Sequence, residues 1–174
     1  MRDPLFTVGH STHKAEAFLT LLQSHGVRQL ADVRLIPKSA RHPHFGQEPL
    51  RTFLEAHGIT YRHFQDLGGH RRPRPDSVNT AWRVLAFRGY ADHMRTDAFR
   101  HAIKDLLTFA SSGRTSVMCA EAVWWRCHRR LIADALLVAG IPVLHILSSA
   151  APKAHELSEF AREVDGEVIY PGLL

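Results

Sequence analysis

The chain has 174 residues, 45% hydrophobic and 22% charged, which fits one domain spanning residues 1–174 with a core that needs no disulfide staples. Two cysteines, an opening MRDPLFTVGH without a long apolar run, and a longest apolar stretch broken at Gly140-Ile141-Pro142 argue against a secreted disulfide framework or a membrane span, and for a cytoplasmic protein. The net charge of +5 is uneven: residues 131–174 carry 2 basic against 6 acidic side chains, and eighteen of the 22 basic residues are arginine, whose planar fork suits phosphate and carboxylate.

LFTVG, residues 5–9, reads as the first strand. Ser11 and Thr12 are predicted to cap a helix in which Ala15, Phe18, Leu19 and Leu22 form one apolar stripe. A pattern of helical run, glycine and β-type run then recurs, as LLQSHG-VRQLADV and FLEAHG-ITYRHF. Residues 67–80, LGGHRRPRPDSVNT, break it: Gly-Gly and alternating prolines forbid helix or central strand and predict a surface loop. The stripe Phe99, Ala102, Ile103, Leu106, Leu107 and Ala110 predicts a further helix, leading through TFASSG-RTSVMC into a strand. CHRRLIADALLVAG is predicted to be helical from Cys127, followed by IPVLHIL, and AREVDG-EVIY reads as a last helix–glycine–strand unit. The expected fold is α/β, a three-layer Rossmann-like domain with a mainly parallel sheet of five to six strands and helices on both faces. Val33, Val117, Met118, Val143 and Ile146 are expected in its core.

In such sheets ligands bind at the carboxyl ends of the strands. That places His10 and Ser11, then Asp32, Arg34 and Ser39, then Cys119 and Glu121, and finally His145, at one edge. His10, Asp32, Arg34, Cys119, Glu121 and His128 are expected to line one cavity, with Asp32 and Arg34 on the same side by strand alternation. The stretch VMCAEAVWWRCHR packs both cysteines, a carboxylate, a histidine and two arginines into residues 117–129, with Arg130 next. A thiol at a helix start beside arginines favours its thiolate. Three readings follow: a nucleophilic Cys119 or Cys127 partnered by His128, a redox pair, or a metal site of Cys119, Cys127 and His10. Trp124-Trp125 leaves one ring free to stack on a base. His25, His57, His101 and His155 read as residues on helix surfaces or ends.

VGHST, ADVRLIPKS, HGITYRHFQDLGG, NTAWRVLAFRGYADHM and above all MCAEAVWWRCHR resemble the motif blocks of the domain of unknown function 488 family, and the resemblance runs almost end to end. It carries family motif positions onto Gly9, His10, Ser11, Asp32, Arg34, Pro37, Ser39, Gly68, Gly69, Tyr90, Ala91, Cys119, Glu121, Cys127, His128 and Arg129. It implies a site but names no activity and no cofactor. Two classes of function follow. One is an enzyme on a small anionic, phosphate- or nucleotide-like substrate, with Cys119, Glu121, Cys127 and His128 as catalytic candidates. His10, Ser11, Asp32, Arg34, Ser39, Tyr90 and Arg129 would then bind the substrate. The other is a nucleic-acid-binding accessory protein using the basic residues 70–74 and the tryptophan pair. A membrane partner is not expected.

Overall fold

The structure, a computed structural model, describes residues 2–173. In chain order these form β1 (Leu5–Gly9), α1 (Ala15–Ser24), β2 (Gln29–Asp32), α2 (Gln47–Ala56), β3 (Thr60–His63), α3 (Leu85–His93), α4 (Asp97–Ala110) and β4 (Thr115–Cys119). The remainder is α5 (Arg129–Val138), β5 (Val143–His145), β6 (Lys153–Ala154), β7 (Arg162–Val164) and β8 (Glu167–Ile169). Six strands make one sheet in the order β3-β2-β4-β1-β5-β6. All pairs are parallel except β5–β6. The expected α/β architecture is what forms. β1, β2 and β4 are buried along their whole length, as strands covered on both faces must be.

Strand alternation divides the core in two. Phe6, Val8, Leu30, Tyr61 and Met118 face α1 and α2 in one layer. Leu5, Ala31, Val117 and Cys119 point to the opposite layer, against residues of α3, α4 and α5. Val33, Val117, Met118, Val143 and Ile146 are all buried, as their apolar runs require. Gly26, Gly58 and Gly140 adopt positive φ just beyond α1, α2 and α5, the left-handed closure that the recurring glycine predicts. Thr96 caps α4, its side chain accepting from the backbone N–H of Phe99.

Three expectations are corrected. Ser11 and Thr12 do not cap α1; Lys14 precedes it without a side-chain cap. The strand pairing runs on past β1, with His10 N–H donating to the Cys119 carbonyl and Ser11 N–H to that of Ala120, so Ser11 belongs to a turn at φ 47. AREVDG-EVIY is no helix but the antiparallel hairpin β7–β8, because Asp165 and Gly166, at φ 52 and 80, form the two-residue turn that Asp-Gly favours. His155 is buried and on no helix, whereas His25 closes α1 at a helix end, as expected, and is buried there.

The predicted loop runs without regular structure from Gly68 to Val84, and it is anchored at several points. Asp92 in α3 accepts from the Arg74 backbone N–H, the Ser77 hydroxyl and the Asn79 amide. Gly89 lets the loop cross α3 directly: a Cβ there would lie 2.0 Å from the Arg71 carbonyl oxygen.

Candidate functional site

The strand-end rule brings the candidate residues to one edge of the sheet, and the register then separates them. Asp32 pairs with Met118 across β2–β4, so the two share a face, and Cys119, one residue on, points the other way. Two polar clusters result, one against α5 and one against α2, in place of the single cavity expected from sequence.

The cluster against α5 is built on sulfur. Cys127 lies in an extended residue between a turn at Trp124–Arg126 and the start of α5, while Cys119 ends the central strand β4. Both thiols are free and buried, and the Cys119 thiol donates to the Glu121 carbonyl at 3.8 Å. Cys127 Sγ also lies 3.5 Å from His128 Nδ1 and accepts from the Arg129 backbone N–H at 3.4 Å. His128 Nε2 is 2.9 Å from the Val33 carbonyl, which only accepts, so that nitrogen carries a proton. Nδ1 is then either the acceptor of the Cys127 proton or, having taken it, the donor to a thiolate. Burial opposes that thiolate. The neighbouring Cys119 and His128 side chains, with the charge of Arg129, outweigh it and hold the Cys127 thiol well below its ordinary range. Burial and the neighbouring Cys127 push the Cys119 thiol up. Tyr90 packs its ring 5.0 Å from that of His128 and donates to the Leu67 carbonyl. It is wholly buried and holds the histidine in place instead of facing solvent.

Arg129 is the largest fully buried side chain, and no carboxylate among the described residues pairs with it. Its Nη2 donates to the Glu121 carbonyl at 2.7 Å, its Nη1 reaches Thr7 Oγ1 at 3.5 Å, and its Nε has no partner. A buried cation favours a nearby negative charge, and Arg129 is among the groups that lower the Cys127 pKa. Beyond Thr7 runs a buried chain: Thr7 Oγ1 to His145 Nδ1 at 2.6 Å, His145 Nε2 to His155 Nδ1 at 2.9 Å, and His155 Nε2 to Asp134 at 2.7 Å. Trp124 lies flat on the His145 ring at 4.2 Å, whereas Trp125 is exposed. Arg126 and Arg130 do not reach the sulfurs' hydrogen bonds; Arg130 lies over Trp82.

The second cluster is an ion pair. Arg34 binds both oxygens of Asp32, Tyr61 donates to the same carboxylate, and Arg34 Nη1 donates to the Phe45 carbonyl at 2.7 Å. Alternation puts Asp32 and Arg34 on one side, as expected, and they bind each other. His10 stacks on Phe45 at 4.2 Å, with Nδ1 on the Ser11 carbonyl and Nε2 toward Arg34. Beside His10 opens a cleft of about 400 Å³ lined by His10, Ser11, Ser39, Arg41, His42 and Glu121, among others. Its wall at Ala120–Ala122 is the segment that Arg129 and the Cys119 thiol brace from behind through the Glu121 carbonyl. No group of three or more His, Cys, Asp and Glu among the described residues comes together to hold a metal ion, Cys119, Cys127 and His10 included. No helix there is long and apolar enough to cross a membrane.

A protein-family profile described as domain of unknown function DUF488 matches residues 14–136. The chain belongs to the DUF488 family. No curated protein and no solved structure matches it. The DUF488 match takes in Asp32, Arg34, Tyr90 and the whole Cys119–Arg129 stretch; it begins after the His10-Ser11 turn and ends before His145.

Several residues that build this DUF488 site carry no motif signal. Thr7, Phe45, Tyr61, His155 and Asp134 are spread over the chain and meet only in the fold. A buried-histidine pattern within β5 is the one sequence cue, at His145. Burial, aided by Arg34, pushes His10 down to about 4, and burial, aided by His155 and Arg129, pushes His145 down to about 3. Both stay neutral in the folded protein near neutrality but protonate in the unfolded chain near pH 6.5. The unfolded state then binds more protons between pH 6.5 and about 4, so folding stability is full above that window and is lost as pH falls through it. Each histidine is expected to contribute a slope of about 1.4 kcal/mol per pH unit there. Urea unfolding at pH 7, 6 and 5 measures this, and a midpoint unchanged between pH 6 and 5 would refute it.

Proposed function

We propose that this protein is a thiol-dependent enzyme acting on a small anionic substrate, with Cys127 as the nucleophile. The observation that carries the reading is the convergence on Cys127 Sγ of His128 Nδ1 and the Arg129 N–H, with the His128 tautomer fixed by Val33. In this scheme His128 holds the proton that Cys127 releases and returns it to the leaving group. Cys119 and buried Arg129 stabilise the thiolate. The cleft beside Glu121 receives the anion, on Arg41, His42 and the hydroxyls of Ser11 and Ser39, and the Glu121 carboxylate, exposed at its wall, moves a second proton. Asp32, Arg34 and Tyr90 act by positioning. Arg34 fixes the Phe45 carbonyl and, through it, the ring against which His10 stacks.

Alkylation by iodoacetamide across pH tests the nucleophile. Wild type should show a fast phase with a midpoint below the ordinary thiol value of about 8.5. Cys127→Ser should remove that phase, and Cys119→Ser should leave it in place. Saturating inorganic phosphate should slow the phase in wild type and not in Arg41→Ala. Slow alkylation of both cysteines with an ordinary midpoint would sink the proposal, and protection by added zinc, lost in both serine variants, would replace it with a metal site.

A further inference from the structure

Arg129 holds the wall of the cleft, and a row of buried side chains holds Arg129. Its planar guanidinium is engaged at both amino nitrogens: Nη1 donates to Thr7 Oγ1 at 3.5 Å and Nη2 to the Glu121 carbonyl at 2.7 Å. Because the group is rigid, whatever orients it at Thr7 also orients it at Glu121, which lines the cleft with Ala122. The Thr7 hydroxyl sets the direction of the row beyond it. Arg129 only donates, so the Thr7 oxygen accepts from it. The hydroxyl proton goes to the acceptor it reaches among the described residues, His145 Nδ1 at 2.6 Å. His145 then carries its proton on Nε2 and donates to His155 Nδ1 at 2.9 Å. His155 carries its own on Nε2 and donates to Asp134 at 2.7 Å. Asp134 also accepts from the Ser158 N–H and hydroxyl and from the Tyr170 hydroxyl. Every donor in the row therefore points from Arg129 toward this carboxylate.

We propose that Asp134 is the remote counter-charge of Arg129 and, through His155, His145 and Thr7, the positioning residue for the Glu121 wall of the cleft. Arg129 and Asp134 both lie on α5 and form no ion pair with each other. The hydrogen bonds that join them leave the helix, pass through Thr7 of β1 and His145 of β5, and return to it by way of His155. All five side chains are buried, and Trp124 lies flat on the His145 ring at 4.2 Å. Hydrogen bonds in such a row polarise one another, most strongly away from water. The carboxylate is thereby felt at the Thr7 oxygen as added negative charge facing the guanidinium. The inference rests on the proposed function for the use of the cleft alone; the row itself stands whether or not Cys127 is the nucleophile.

The test is nitrogen-15 NMR of the labelled full-length protein at pH 7, read at the ring nitrogens of His145 and His155, at Arg129 Nε–H and at the Ala122 amide. In wild type both histidines should carry a single proton, on Nε2. Thr7→Val, close in shape, should release the His145 tautomer and shift the Arg129 and Ala122 signals, whereas Thr7→Ser should leave all of them in place. Asp134→Asn should shift the same two signals in wild type and no longer do so in the Thr7→Val background, the non-additivity that a shared path requires. A proton on His145 Nδ1, or a doubly protonated ring in either histidine, would overturn the proposal. So would an Asp134→Asn shift undiminished by Thr7→Val, which marks a field acting directly, or an Ala122 signal that no variant moves. The wild-type tautomers and the two Thr7 variants decide the matter even where Asp134→Asn does not fold. Failure of phosphate to slow Cys127 alkylation would refute the proposed function and leave these signals as expected.

Discussion

Replacing Gly9 by alanine is expected to cost the protein about 3 kcal/mol or more and to abolish the low-pH alkylation of Cys127. Gly9 ends β1 directly against the turn that follows β4. A Cβ there would lie 1.8 Å from the Glu121 carbonyl oxygen, 2.6 Å from its carbon and 2.8 Å from the Ala122 Cα. All three are backbone atoms, so no side-chain rotation relieves the clash. The strands cannot part either, because Gly9 is in register with Cys119 and His10 donates to the Cys119 carbonyl. The segment Glu121–Ala122 must therefore move. It carries the carbonyl that accepts from Arg129 and from the Cys119 thiol, so the charge balance around Cys127 moves with it. For a chain of this length the loss corresponds to a fall in Tm of about 10 °C. Scanning calorimetry and alkylation of the same variant measure the two effects; a Tm within a degree of wild type would show that the close approach does not constrain the fold.

Asp32→Ala is expected to destabilise by about 3–5 kcal/mol, the cost of leaving a buried charge uncompensated. Asp32 is fully buried and binds Arg34 through both oxygens while accepting from Tyr61. Truncation leaves the Arg34 guanidinium, itself 7% exposed, with only the Phe45 carbonyl and His10, and it orphans the Tyr61 hydroxyl. The pair as a whole is expected to matter far less than either half, because removing both charges also removes the desolvation cost. Asp32→Ala combined with Arg34→Met should recover most of the stability in urea unfolding. If Asp32→Ala alone unfolds at the wild-type urea concentration, the network is dispensable to the fold, and Arg34 is free to meet a ligand.

The residues around Cys127 explain why a reading of the chain locates this site but not its chemistry. CAEAVWWRCHR is conspicuous in sequence because it is chemically dense, and eight-residue spacing leaves the distance between the sulfurs open. What carries Cys127 into the same core layer as Cys119 is a turn at Trp124–Arg126, with Trp124 laid flat on His145 from β5. What fixes the His128 proton is the carbonyl of Val33, 95 residues earlier. No local pattern records either contact. The last hairpin shows the opposite failure: Asp-Gly was legible as a turn, but a glycine after a polar run reads equally as a helix end.

The sequence by itself determined the layered α/β fold, the buried strands and the edge of the sheet at which the polar residues gather. Those follow from apolar periodicity and from glycines that close helices, signals that act over a few residues. The tertiary structure decided which polar residues meet. Two parallel strands whose register is set by their whole buried length put Asp32 beside Met118 and turned Cys119 to the other face. Arg34 was thereby matched with Asp32, and Arg129 with the sulfur of Cys127. A shift of one residue in that register would exchange the faces, because side chains alternate with a period of two, and no stretch of sequence short enough to read as a motif contains both strands.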